Sequence, residues 1–318
     1  MTKPPFTVSS KAISMIAEIS ALVERFAIRF ERDALKLRRA NKIKTIFSSL
    51  AIEGNTLSET QVGDILNGKN VVAPIRELQE VKNAIAVYDN FTSFNPFSLE
   101  DLLRAHAQMM SALVETAGQF RQSGVGVFDG DRAVHIAPPF ERVPELMANL
   151  FDWLKNADDH LLIRSCVFHY EFEFIHPFAD GNGRMGRLWQ SLILSKLNTV
   201  FQYLPVETLV HDNQLKYYEA INTSTANNDS GAFIDFMLGK LLGALKIHQG
   251  EPIGRVNGSV SGRVNEVLGY VKAHEGCNAG ELSAALSIPK RTLARDLKKL
   301  ADQVEFRGAP KTGGDYLK

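Results

Sequence analysis

The 318-residue sequence predicts a mainly α-helical protein with one β-hairpin and a small C-terminal domain. Three observations lead there. Apolar residues recur three and four apart through most of the chain before residue 250, the spacing of a helix face. A single segment breaks that pattern, where two β-favouring runs flank Asp129-Gly130-Asp131. Turn residues then gather between Gly250 and Gly262, after which a short helical set resumes. The expected division is a helical region at 1–97, a core at 98–250, a linker at 251–262 and a last domain at 263–318.

Composition narrows the function classes. With 45% apolar residues the chain can bury a sizeable core. The 36 Lys and Arg balance the 36 Asp and Glu, so no global charge argues for nucleic acid or a membrane surface. Cys166 and Cys277 stand far apart, which predicts no disulfide framework and fits a reducing cytosol. No run of about 18 apolar residues occurs, so the expectation is a soluble, cytoplasmic protein without a membrane partner.

The elements follow in order. Residues 9 to about 30 place Ile13, Ile16, Ile19, Leu22, Val23 and Phe26 on one helix face. A second helix is expected from Glu31 to Ile52. Its basic start (Lys36, Arg38, Arg39, Lys42, Lys44) reads as a solvated face, and Gly54 is its stop. Ser49 and Glu53, four apart, share a face near its end. A carboxylate there faces the negative end of its own helix dipole, which suggests a cationic partner elsewhere. Thr56–Asn67 predicts a short helix stopped by Gly68. Pro74 opens another, with Leu78, Val81, Ala84, Ile85 and Tyr88 inward. Ser98 and Asp101 start a helix expected to reach about Thr116, with His106 packed inside it. The hairpin pairs Val125–Phe128 with Ala133–Ile136, and a lone hairpin has an edge that another chain can extend. Helices are then expected at Phe140 to about Asn156, Leu161–Ile175, from near Gly183 to Leu197, Asp212 to about Ser224, and Phe233 to about His248.

Twelve residues, His176 to Arg187, concentrate the chemistry. Pro177 disfavours α geometry at His176, and Gly181 and Gly183 admit unusual backbone. A loop before a helix start aims N–H groups and the positive dipole end at one point, an anion site suited to phosphate. Arg184 and Arg187, three apart, can hold neighbouring phosphates. Asp180 is a hard oxygen ligand suited to magnesium. His176 can take a proton near neutral pH. Each residue alone has a structural reading; their concentration points to phosphoryl chemistry.

The stretch resembles the signature of the Fic family, His-x-Phe-x-Asp/Glu-Gly-Asn-Gly-Arg-x-x-Arg, and matches it at His176, Phe178, Asp180, Gly181, Asn182, Gly183, Arg184 and Arg187. The resemblance implies a Fic-type helical bundle with a β-hairpin flap. It also implies a protein adenylyltransferase, moving AMP from ATP to a Tyr, Ser or Thr hydroxyl of a target protein. By that resemblance His176 is the base and Asp180 holds Mg2+. Phe178, Gly181, Asn182, Gly183, Arg184 and Arg187 belong to the ATP site, with Arg187 meeting the γ-phosphate. Tyr217 and Tyr218 loosely resemble the family's adenine-pocket aromatics. Ser49-x-x-x-Glu53-Gly54 resembles the family's inhibitory-helix motif in its N-terminal position, which implies that Glu53 pairs with Arg187. The hairpin stands where the family's flap lies, so Val125, Gly126, Val127, His135 and Ile136 are expected to register a target segment. Removal of AMP from modified protein, with Glu53 orienting water, is the alternative enzymatic reading.

Past the linker, three helices are expected at Arg263–His274, Ala279–Leu286 and Pro289–Asp302, the last basic through Lys290, Arg291, Arg295, Lys298 and Lys299. With a glycine-punctuated hairpin at Phe306–Leu317, the set resembles a winged helix-turn-helix. Its positive excess is small. DNA binding, which would make the protein a nucleotide-sensing regulator, stays open beside protein docking or homodimerisation.

Overall fold

Several helices in this protein start where a side chain satisfies terminal backbone N–H groups, among them those that follow Ser58, Ser98 and Asn278. The computed structural model describes residues 3–30, 34–129, 132–202, 204 and 206–247. Beyond these it describes 267–268, 270–271, 274, 276–286, 293, 297–298, 300, 304–307 and 314–317. The chain divides into two compact units, Met1–Gly254 and Arg255–Lys318.

In the first unit the helices are α1 (Ser10–Phe30), α2 (Ala34–Ile52), α3 (Glu59–Leu66), α4 (Ile75–Asp89) and α5 (Leu99–Met109). After them come β1 (Gly126–Asp129), β2 (Arg132–Ile136), α6 (Val143–Asn156), α7 (Leu161–Ile175) and α8 (Asn182–Leu197). The unit closes with α9 (Val206–His211), α10 (Gln214–Asn227) and α11 (Gly231–Ile247). Among the described residues, no helix is long and apolar enough to cross a membrane.

α7 and α8 pack along each other at the centre; α7, apolar on all sides, is buried nearly all round, and α8 is as buried although it carries Asn182, Arg184, Arg187 and Gln190. Trp153, Phe168, Phe172 and Trp189 fill the space beside them, with Phe151 edge-on to Phe168. The Trp189 indole N–H is satisfied by the Pro96 carbonyl at 3.0 Å. α11 lies against α1 and α10, while α2 runs over α3, α4 and α9, which brings its C-terminal end towards α8.

Several boundaries differ from the sequence expectation. α3 starts at Glu59, not Thr56, because Ser58 and Gln61 form a capping box while the Thr56 N–H and hydroxyl bond Glu77. α5 stops at Met109 instead of reaching Thr116. Asn83 of α4 donates to the carbonyls of Met109 and Ser111, and Ala112 turns the chain at φ +58°. α9 was not foreseen, and α10 runs from Gln214 to Asn227, ended by Asn228 in the left-handed region. The hairpin is antiparallel, pairing Gly126 with Ile136 and Val127 with His135, and carries a bulge after Val127.

The second unit has a small core of Val267, Val271, Cys277, Leu282, Leu293, Leu300 and Val304. α12 (Ala279–Ala285) is opened by an Asn278–Glu281 capping box. β3 (Val304–Arg307) pairs antiparallel with β4 (Gly314–Leu317). The expected linker, and Lys290, Arg291, Arg295 and Lys299 of the expected recognition helix, lie outside the described residues.

Candidate active site

The loop between α7 and α8 is built from its backbone outwards. His176 ends α7 in the left-handed region, φ 51° and ψ 61°, a conformation that a non-glycine residue resists. Its N–H reaches the Phe172 carbonyl at 2.9 Å, and its own carbonyl accepts from Arg121 Nε at 2.8 Å. The imidazole Nδ1 lies 3.4 Å from the Glu173 carbonyl. With Nδ1–H directed there, the lone pair sits on Nε2, the atom a general base uses.

Asn182 closes the loop on itself. Its Oδ1 accepts from the Phe178 N–H and its Nδ2 donates to the Phe178 carbonyl, both at 2.9 Å. The expected phosphate contact from this residue therefore falls to its backbone N–H. The Phe178 ring is fully buried and stacks on His106 at 3.6 Å between centroids, so it anchors the loop in the core rather than lining a ligand site as expected. His106 does more than pack. Its Nδ1 accepts from the Gly118 N–H, leaving Nε2–H for the Asp180 carbonyl at 3.0 Å. Burial lowers its pKa to about 4, which keeps it neutral.

Asp180 is half-buried in the loop. Its Oδ1 accepts from the Gly181 N–H at 2.6 Å and Arg184 Nη2 at 2.9 Å, and its Oδ2 from Arg76 Nη2 at 3.1 Å. Glu80 holds Arg76 and Arg184 from the α4 side. Gly181 takes φ +86°, and a Cβ there would press on the Met110 sulfur. No side chain caps α8, so the N–H groups of its first turn have no intrahelical acceptor.

A carboxylate from another helix fills that position. Glu53 Oε1 lies 2.7 Å from Arg187 Nη2, and Arg187 also donates to the Ser49 carbonyl at 3.0 Å. Ser49 thus contributes its main chain to this contact. The Glu53 carboxylate sits so close to α8 that a Cβ on Gly183 would strike it. Arg187 is only 1% exposed. Burial pulls its pKa down, but Glu53, Tyr217 and Glu173 outweigh that and the net shift is upward. Arg184 and Arg187, expected to serve neighbouring phosphates, here face different carboxylates, Asp180 and Glu53.

The remaining expected residues are divided. Tyr217 is buried behind Arg187, bonded to His169 Nε2 at 3.1 Å, so it walls the site instead of offering an adenine surface. Tyr218 is exposed and accepts from Gln214. Val125 and Gly126 start the hairpin; of Val127, His135 and Ile136 only the backbone is described. Arg76, Glu80 and Arg121 were missed. Only the i,i+4 pairing of Arg76 with Glu80 left a trace in the sequence.

A model of the Fic/DOC family matches residues 96–194. The crystal structure of a Fic family protein from Desulfovibrio desulfuricans G20 is 39% identical, has a TM-score of 0.76, and is matched over 100% of this chain and 98% of that one. The chain belongs to the Fic/DOC family. The protein adenylyltransferase fic-1 of Caenorhabditis briggsae is 26% identical over 287 residues, 84% of this chain and 54% of its own length. The protein adenylyltransferase Fic of Culex quinquefasciatus is 32% identical over 258 residues, 72% of this chain and 49% of its own length. The chain spans about half the length of the curated relatives it matches. In this Fic chain the matched region holds the hairpin and the His176–Arg187 loop, whereas Glu53, just past the end of α2, and Arg76 and Glu80 of α4 come before it.

Proposed function

We propose that this Fic protein transfers AMP from ATP to a hydroxyl group of a target protein, and that α2 restrains the reaction through Glu53. The observation that carries the reading is the Glu53–Arg187 pair, a carboxylate lodged at a helix N-terminus otherwise suited to phosphate. The relatives named as protein adenylyltransferases support the same activity.

In the reaction, His176 Nε2 accepts the proton of the attacking hydroxyl, whose oxygen bonds to the α-phosphorus while pyrophosphate leaves. The α8 first-turn N–H groups and Arg184 stabilise charge on the phosphates. Arg187 turns to the γ-phosphate when Glu53 withdraws. Asp180 fits the role of a magnesium ligand, since its carboxylate side chain is 37% exposed and already faces two cationic groups. Among the described residues no cluster of three or more His, Cys, Asp or Glu could hold a metal, so phosphate and water would supply the other ligands. Magnesium held by Asp180 would supply positive charge that offsets the charge of the phosphates. The hairpin receives an extended target segment by strand addition, and the second unit is a winged helix-turn-helix for docking.

Removal of AMP from modified protein is a second reading, favoured by Glu53 standing partly exposed where it can orient water. Incubation with α-labelled ATP separates the two. Label retained on protein supports transfer, and label released from pre-modified protein supports removal. DNA retention with neither would leave a nucleotide-sensing regulator.

A further inference from the structure

Arg121 is 2% exposed, and its guanidinium ends on main-chain carbonyls from three separate segments. Nε donates to His176 at 2.8 Å and Nη1 to Ser123 at 2.8 Å. Nη2 serves Pro138 and, at 3.4 Å, Ile175. The backbone N–H of Arg121 adds a bond to the Pro177 carbonyl at 2.9 Å. Ser123 precedes β1 and Pro138 follows β2, so one side chain holds both feet of the hairpin and the residue that carries the base.

An arginine that only capped α7 would need only the Ile175 and His176 carbonyls. Among the described residues no carboxylate lies within ion-pair distance of Arg121, and burial lowers its pKa with only Glu141 opposing. A charge kept out of water without a carboxylate partner is costly. What guanidinium offers in return is a rigid planar fork of five donors, which neither lysine nor an apolar residue supplies.

We propose that Arg121 is a positioning residue that tethers the β1–β2 hairpin to the His176 backbone. A target segment laid along the hairpin then meets the base at a fixed distance. The proposal rests on the adenylyl-transfer reading above, and it separates two acceptors. A protein hydroxyl is delivered by the hairpin and depends on the tether. Water reaches the α-phosphorus without the hairpin and does not.

The test compares full-length Glu53→Gly with Glu53→Gly/Arg121→Lys, using α-labelled ATP. The readouts are label incorporated into the chain itself, AMP released to water, the KM for ATP, and hydrogen exchange of residues 124–138. The tether predicts that incorporation at saturating ATP falls roughly tenfold or more, as misplacement of about 1 Å can cause. It also predicts that AMP release and KM change less than about threefold, and that the hairpin amides exchange faster. Parallel loss of incorporation and AMP release, loss confined to KM, or unchanged incorporation would each overturn it. If the Glu53→Gly parent does neither reaction, the transfer reading fails by itself. Hydrogen exchange then decides the tether, and unchanged hairpin protection overturns it. Arg121→Gln, a smaller planar head, is read in the same way where the lysine variant is unfolded by circular dichroism. Unfolding of both would make Arg121 a folding determinant and overturn the proposal.

Discussion

Replacing Glu53 with glycine tests the central ion pair from two directions. Arg187 is almost wholly buried, and its Nη2 lies 2.7 Å from a Glu53 side chain that is 30% exposed. The pair is therefore shielded well beyond a surface salt bridge, and a charge-assisted bond there contributes about 1.5–3 kcal/mol. Under the proposed mechanism that contact is given up before a γ-phosphate takes Arg187. Its removal should raise the rate of AMP transfer by roughly 10- to 100-fold, at 1.36 kcal/mol per factor of ten. Stability should move the other way. Without Glu53, Arg187 keeps the Ser49 carbonyl but loses its partner charge, a loss of about 2–3 kcal/mol and a fall in melting temperature of roughly 5–10 °C. ATP should restore more of that loss in the variant than it adds to wild type. The assays are initial incorporation from α-labelled ATP and thermal unfolding with and without ATP. Glu53→Gln, which keeps the side-chain length, should act in the same direction, and adding Arg187→Glu should abolish the gain. Equal rates in wild type and Glu53→Gly would refute the reasoning.

Three further outcomes are expected. His176→Ala should abolish incorporation while leaving ATP binding measurable by calorimetry, because the proposed phosphate donors lie on α8; near wild-type labelling would remove His176 as base. A chain ending at Gly254 should unfold as one cooperative transition and keep its labelling activity, since every site residue lies in the first unit; an unfolded product would reject that independence. Burial raises the Glu173 pKa to about 7, with Arg187 opposing. The native state then holds this proton more tightly than the unfolded chain, so stability falls as pH rises from about 4.5 to about 7. The full penalty, on the order of 3 kcal/mol, is present above pH 7. Glu173→Gln should therefore stabilise the protein more at pH 8 than at pH 5. A melting-temperature difference that does not change with pH would contradict the assignment.

The loop itself was readable because its information is local. Pro177 after His176, the glycines at 181 and 183, and two arginines three apart act within a turn or two of chain, where sequence spacing is spatial spacing. α7 and α8 were readable for the same reason, as apolar runs on either side. Phe178, Asn182 and Tyr217 show the limit of reading a motif as a ligand list. The structure uses their side chains to build the loop and its wall, and residue type does not say whether a group faces a ligand or its own backbone.

By itself, the sequence determined helix content, the hairpin, the place of the loop between two helices and the pairing tendency of Glu53. All of these are set by residues a few positions apart. Only the tertiary structure decided that Arg121 holds His176 and the hairpin feet together, that His106 pins Asp180, and that Arg76 and Glu80 surround Asp180 and Arg184. It also decided where α5 ends, since Asn83 of α4 takes the carbonyls that would have continued the chain's turn. Apart from the Arg121 bonds to the hairpin feet, those contacts join residues from 26 to 104 positions apart. Their partners are chosen by how helices pack, and no local periodicity carries that choice.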